Sequence, residues 1–185
     1  MSFKPKVFVE LTKSDVPNLG TQRAQVLCAL AEAVIDEKFA ATIGGGAGNE
    51  EKGFRDFVRD VDDFMNYQPG ATVTQLRFAL KLIEVKALRH ATLVKVGDGD
   101  FSRMSVPERR EVLEKLKTGT RDLQRTAYTG FLRLVSSFYF GHRNVFPELG
   151  YKGVSVDDQK VLCGHPWRPN DPRKVEPCNG QDPCD

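Results

Sequence analysis

Apolar positions along this chain recur every three or four residues, and nowhere alternate for long enough to build a sheet. The clearest case is Glu50 to Tyr67, where Phe54, Phe57, Val58, Val61, Phe64 and Met65 keep helical spacing. Arg55, Asp56, Arg59, Asp60, Asp62 and Asp63 fall between them. That pattern predicts an amphipathic helix whose aspartates form a solvated face. An earlier helix is predicted after Thr21 as N-cap and on to about Ala40, with Leu27, Leu30, Ala31 and Val34 as its core stripe. Gln68-Pro69-Gly70 marks a turn. Thr72 and Gln75 then have capping-box spacing, opening a third helix to about Val94 with Val73, Leu76, Ala79, Leu80, Ile83 and Ala87 inside. Ser105-Val106-Pro107-Glu108 repeats the device, with proline in the first turn, and opens a short helix to about Lys117.

The stretch from Gly119 to Gly153 is the most apolar. Leu123, Ala127, Phe131, Leu134, Val135 and Phe138 keep helical spacing, and Tyr128, Leu132, Tyr139 and Phe140 fill much of the remaining circumference. A helix apolar on nearly every side is expected to have other helices packed around it. The predicted fold is therefore all-α: a bundle of about five main helices around a central apolar helix, followed by an extended Pro/Cys-rich C-terminal tail. Residues 1–20 read as an N-terminal arm with a short apolar anchor from Val7, 21–162 as the helical domain, and 163–185 as the tail.

Composition adds bounds. A chain of 185 residues, 40% hydrophobic and 28% charged, can bury one sizeable core. A net charge of +2 gives no electrostatic argument for a nucleic-acid or membrane partner. No apolar run approaches the roughly 18 residues of a membrane span. Near the start, Lys4 and Lys6 precede only Val7-Phe8-Val9 before Glu10, too little for an export-signal core. The expectation is a soluble chain, cytoplasmic, or periplasmic if a partner carries it.

Candidate chemistry is sparse. His90, His142 and His165 lie far apart, with no His-x-x-x-His or Glu-x-x-His pair. The glycines of Ile43-Gly44-Gly45-Gly46-Ala47-Gly48 fit neither the Rossmann nor the P-loop spacing and read as a loop. Cys28 sits in an apolar helix, where burial raises a thiol pKa. No catalytic residue, cofactor site or metal site is assigned, and the chain is not expected to be an enzyme by itself.

The tail holds Cys163, Cys178 and Cys184, five of the ten prolines, and the only tryptophan. Two of those cysteines could close a disulfide; closing the short Cys178–Cys184 loop would stabilise the segment by about 2–3 kcal/mol on a loop-entropy estimate. Together with His165 they could alternatively hold a metal, at spacings unlike the common zinc patterns. Trp167 and Arg168 are residue types enriched in interface hot spots. The partner-contact candidates are Phe146, Leu149, Tyr151, His165, Trp167 and Arg168, with the tail either on a partner or folded back on its own bundle.

A helix ending in Phe138-Tyr139-Phe140, followed by Phe146-Pro147-Glu148-Leu149-Gly150-Tyr151-Lys152-Gly153, resembles the gluconate 2-dehydrogenase subunit 3 family. Leu30-Ala31-Glu32-Ala33-Val34-Ile35, Phe101-Ser102 and Arg109-Arg110-Glu111-Val112-Leu113 resemble it too. The likeness spans about residues 21–153. It implies a catalytically silent small subunit that binds an FAD-dependent alcohol or sugar dehydrogenase of the glucose-methanol-choline type, and supports its maturation, stability or export. FAD would then belong to the large subunit, with a cytochrome c as a further partner. Two rival readings are a small metal or redox protein using the tail cysteines, and a helical enzyme with an unrecognised site.

Overall fold

Small and branched apolar residues fill α1 (Thr21–Val34) so fully that every residue from Val26 to Ala33 is buried. The computed structural model describes residues 8–36, 38–97, 99–147 and 149–150, and the fold is all-α. After α1 come α2 (Phe39–Gly44), α3 (Glu50–Met65), α4 (Gly70–Glu84), α5 (Lys86–Thr92), a 3-10 turn (Phe101–Arg103), α6 (Val106–Lys117) and α7 (Asp122–Phe140). α1 packs against α3, α4, α6, α7 and the 3-10 turn, which makes it the helix at the centre. α7, expected there, lies on the outside. Only Phe131, Val135 and Tyr139, four residues apart, are buried on α7. Alanines let neighbours approach α1 from all sides, whereas the bulky residues of α7 leave Leu123 and Phe140 about half exposed.

Two predicted helices are each broken in two. The first stops at Val34, because Asp36 Oδ1 accepts the Lys38 amide at 2.7 Å and the chain turns. The fully buried Phe39 then starts α2 with its ring edge-on to Phe54 and Phe57. The third begins at Gly70 with Pro69 as N-cap, so Thr72 does not cap it, and it breaks at the extended Val85. Arg89 explains the break. Its buried guanidinium donates to the carbonyls of Ile83 (2.8 Å) and Glu84 (3.2 Å), left open at the C-terminus of α4, and to that of Gly99 (2.8 Å) beyond α5. The capping box at Ser105 and Glu108 forms as predicted.

α2 and α3 meet through glycine. A Cβ on Gly53 would lie 1.7 Å from the Ala40 carbonyl oxygen, so only glycine permits this approach. The described part of the arm belongs to the core: Phe8, Val9, Val16 and Leu19 are buried. Gln25 of α1 accepts from the Phe8 amide (3.0 Å) and donates to the Val9 carbonyl (2.8 Å), serving as a one-residue substitute for a neighbouring strand. Asp62, read in sequence as part of a solvated face, is buried and accepts from the amides of Asn18 (3.0 Å) and Leu19 (2.6 Å).

Candidate interaction surface

α4 and α7 diverge on one side of the bundle and leave a groove of about 510 Å³. Val73, Leu76 and Ala79 of α4 form one wall, Ala127, Gly130 and Leu134 of α7 the other. The floor is made by the buried Met65, Leu82, Leu93 and Phe131. Among the described residues that line it, the polar side chains are Gln68, Thr72, Gln75 and Thr126. At the rim stand Phe78 at 59% exposure, Leu123 at 51% and Phe64 at 42%, large apolar side chains that a protein does not ordinarily leave in water as a group.

Phe64 also lines a second, more polar crevice of about 850 Å³, with Asp60, Asp63, Tyr67, Phe138, His142, Arg143 and Phe146. The Phe64 ring meets Phe138 edge-on at 5.4 Å, which fixes the shared wall of the two hollows. Desolvation raises the Asp60 carboxyl above its ordinary value; His142 opposes that shift, and Asp56 and Asp63 add to it. Tyr67 in this crevice is about half exposed, as are Phe140 at the end of α7 and Leu149. The ends of α3 and α7 thus carry an apolar, partly aromatic surface next to a carboxylate–imidazole cluster.

Of the partner-contact residues named from sequence, Phe146 is half-buried against the crevice and Leu149 is exposed. Tyr151, His165, Trp167 and Arg168 lie outside the described residues, as do Cys163, Cys178 and Cys184 with their disulfide and metal alternatives. His90 is held structurally: its Nε2 lies 3.2 Å from the carbonyls of Val96 and Gly97. Cys28 is fully enclosed, and burial pushes its thiol far up from the ordinary value. Among the described residues, no three His, Cys, Asp or Glu side chains are placed to share a metal ion. No described helix is long and apolar enough to cross a membrane.

The groove residues were partly missed in sequence. Phe64 and Leu123 sit on helical stripes and read as core. Phe78 lies off the stripe of α4, among polar neighbours, and that position was the available signal for an exposed aromatic. Segments distant in the sequence converge in space. Arg109 donates to Glu32 (2.8 Å), to the Phe101 carbonyl (3.2 Å) and to the Ser102 carbonyl (3.0 Å), so three of those segments meet at one guanidinium. No family model, curated protein or solved structure matches this chain.

Proposed function

We propose that this chain is a non-catalytic interaction subunit that docks on a larger protein through the exposed surface at the ends of α3 and α7. The observation that carries the reading is that exposed Phe64 and Tyr67 line one crevice with Phe146, while Phe140 and Leu149, within three residues in sequence of its lining residues Gly141 and Phe146, are exposed as well. Burying such side chains is worth about 25 cal/mol per Å², and aromatic anchors of this type dominate interface energetics. Asp60, Asp63, His142 and Arg143 supply polar groups beside them that can set orientation.

The resemblance in the Phe138–Gly153 stretch names the partner class: an FAD-dependent dehydrogenase of the glucose-methanol-choline type, with the flavin and the reaction in the large subunit and a cytochrome c as electron acceptor. In this reading the small chain stabilises its partner during maturation, assembly or export. Co-expression with such a flavoprotein encoded beside it tests the proposal. A yellow complex should co-purify, and its dehydrogenase activity should fall when this chain is omitted. Phe140→Asp with Leu149→Asp, both at exposed positions, should weaken the complex at least tenfold while leaving the small chain folded. A flavoprotein equally stable and active alone would overturn the reading.

A further inference from the structure

The groove between α4 and α7 differs in charge from the other described hollows. Those lined by Lys95 and Arg121, by Asp60 and Arg143, and by Glu51 and Arg103 all carry charges. None of the described residues lining this one does, in a chain with 28% charged residues. Its polar groups are the amides of Gln68 and Gln75 and the hydroxyls of Thr72 and Thr126. Each of these both donates and accepts hydrogen bonds, so it can face a copy of itself. A charged group cannot, because like charges brought together repel. The shape is two-sided as well. Phe78 projects at 59% exposure, while the α7 wall is open at Gly130. Glycine is unfavourable inside this 19-residue helix, and nothing described lies within 4 Å of the position its Cβ would take. No packing within the described bundle therefore requires it. One face thus presents a projecting ring and an open place for one.

We infer that this face is the interface of a symmetric homodimer, in which Phe78 of each copy enters the groove of the other beside Gly130. A twofold axis sets one patch against itself, so the patch must be complementary to its own image. An uncharged lining, amides and hydroxyls that can pair with their copies, and a ring with its recess on the same face meet that condition. A foreign protein is ordinarily selected by complementary charge, and this lining offers none. Size agrees with a second copy. α4 has 15 residues and α7 has 19, so they are about 22 and 28 Å long and about 10 Å across. Side by side they offer about 500 Å² in projection; the accessible area of a ridged helical face is larger, near the ~800 Å² per partner of a standard interface. Because the contact uses one patch from each copy, it closes at two.

This inference stands on the groove and needs no flavoprotein partner. Sedimentation equilibrium of the full-length chain, from low to high micromolar concentration, should fit a reversible equilibrium between 20.7 kDa and twice that mass. Phe78→Ala removes the ring, and Gly130→Leu fills its place, which has room for a methyl but not for a leucine side chain and the ring together. Each substitution enters the dimer twice, so each should weaken it about tenfold or more. Leu123→Glu, at the exposed rim, puts a charge into the lining of both copies and should weaken it likewise. Circular dichroism should show all three variants folded. Mixing Phe78→Ala with Gly130→Leu joins an unaltered Phe78 to an unaltered Gly130 at one contact and the two substituted positions, smaller against larger, at the other. The mixture should therefore recover most of the dimer. Phe140→Asp with Leu149→Asp, on the other surface, should dimerise like wild type. A wild-type chain monomeric throughout would overturn the inference. So would a dimer unchanged by the groove variants, a mixture no more dimeric than its components, association beyond two copies, or a dimer that needs another protein.

Discussion

Arg109 on α6 and Glu32 on α1 form a buried ion pair, Nη1 to Oε2 at 2.8 Å, with both side chains almost wholly removed from water. Removing one partner strands the other charge in the core, which typically costs 3–5 kcal/mol, whereas replacing both with apolar residues of similar volume is often near neutral. Arg109→Met should therefore destabilise the chain by about 3–5 kcal/mol in urea unfolding. The double variant Glu32→Leu/Arg109→Met should recover much of that loss. Simple additivity of the two single variants would contradict the pairing.

Gly53 makes the opposite prediction from its helix position alone. Glycine to alanine inside a helix ordinarily stabilises by about 1 kcal/mol. Here the added methyl meets the Ala40 carbonyl, and α2 must move away from α3. Gly53→Ala is expected to destabilise by about 1–3 kcal/mol, the range for overpacking a core. Gly130→Ala, with open space at its Cβ, should be neutral or stabilising; thermal unfolding of both variants checks the pair.

Asp62 fastens the N-terminal arm to α3 by accepting from the Asn18 and Leu19 amides. Asp62→Ala leaves buried Leu19 N–H without its acceptor, a loss of about 1–3 kcal/mol. Hydrogen exchange should accelerate at Leu19 first, before the α1 amides respond.

Asp15 sets an acid limit. The Thr12 amide and hydroxyl donate to its carboxylate and Arg59 pairs with it, holding its pKa well below the usual range. A depressed folded pKa means that its stabilising contribution is complete above the unfolded value, near 3.9, and is lost as pH falls from there through the folded value. The gap in urea midpoint between wild type and Asp15→Asn should be largest near neutrality and close as the solution is acidified below about pH 4.

Cys28 should resist alkylation in the native state, since burial raises its thiol pKa and keeps reagents out. Peptide mapping after iodoacetamide should find it modified only under unfolding conditions. Rapid native labelling would contradict its place in the core.

The all-α fold and most helix positions were legible because stripe spacing in α3 and the Ser105–Glu108 box are local signals. The broken helices were not. Val85 carries no glycine or proline to announce a break, and its cause is Arg89 gathering carbonyls from both sides of it. Asp62 was readable in principle: it falls four residues after Val58 and three before Met65, on the buried side of the helix. The surface was harder to see, because Leu123 in a groove rim and Val135 in the core look alike in sequence. Only the divergence of α4 from α7 separates them.

α1 has further meaning for how the chain behaves as a unit. A helix enclosed from Val26 to Ala33 by four later helices has no stable free form, since short helices are marginal in water without tertiary support. Folding must therefore wait for the segments up to α7, which completes the enclosure of α1. Partial synthesis would expose the whole α1 surface to chaperones or aggregation. Unfolding should be correspondingly all-or-none, with the slowest-exchanging amides of the molecule in α1.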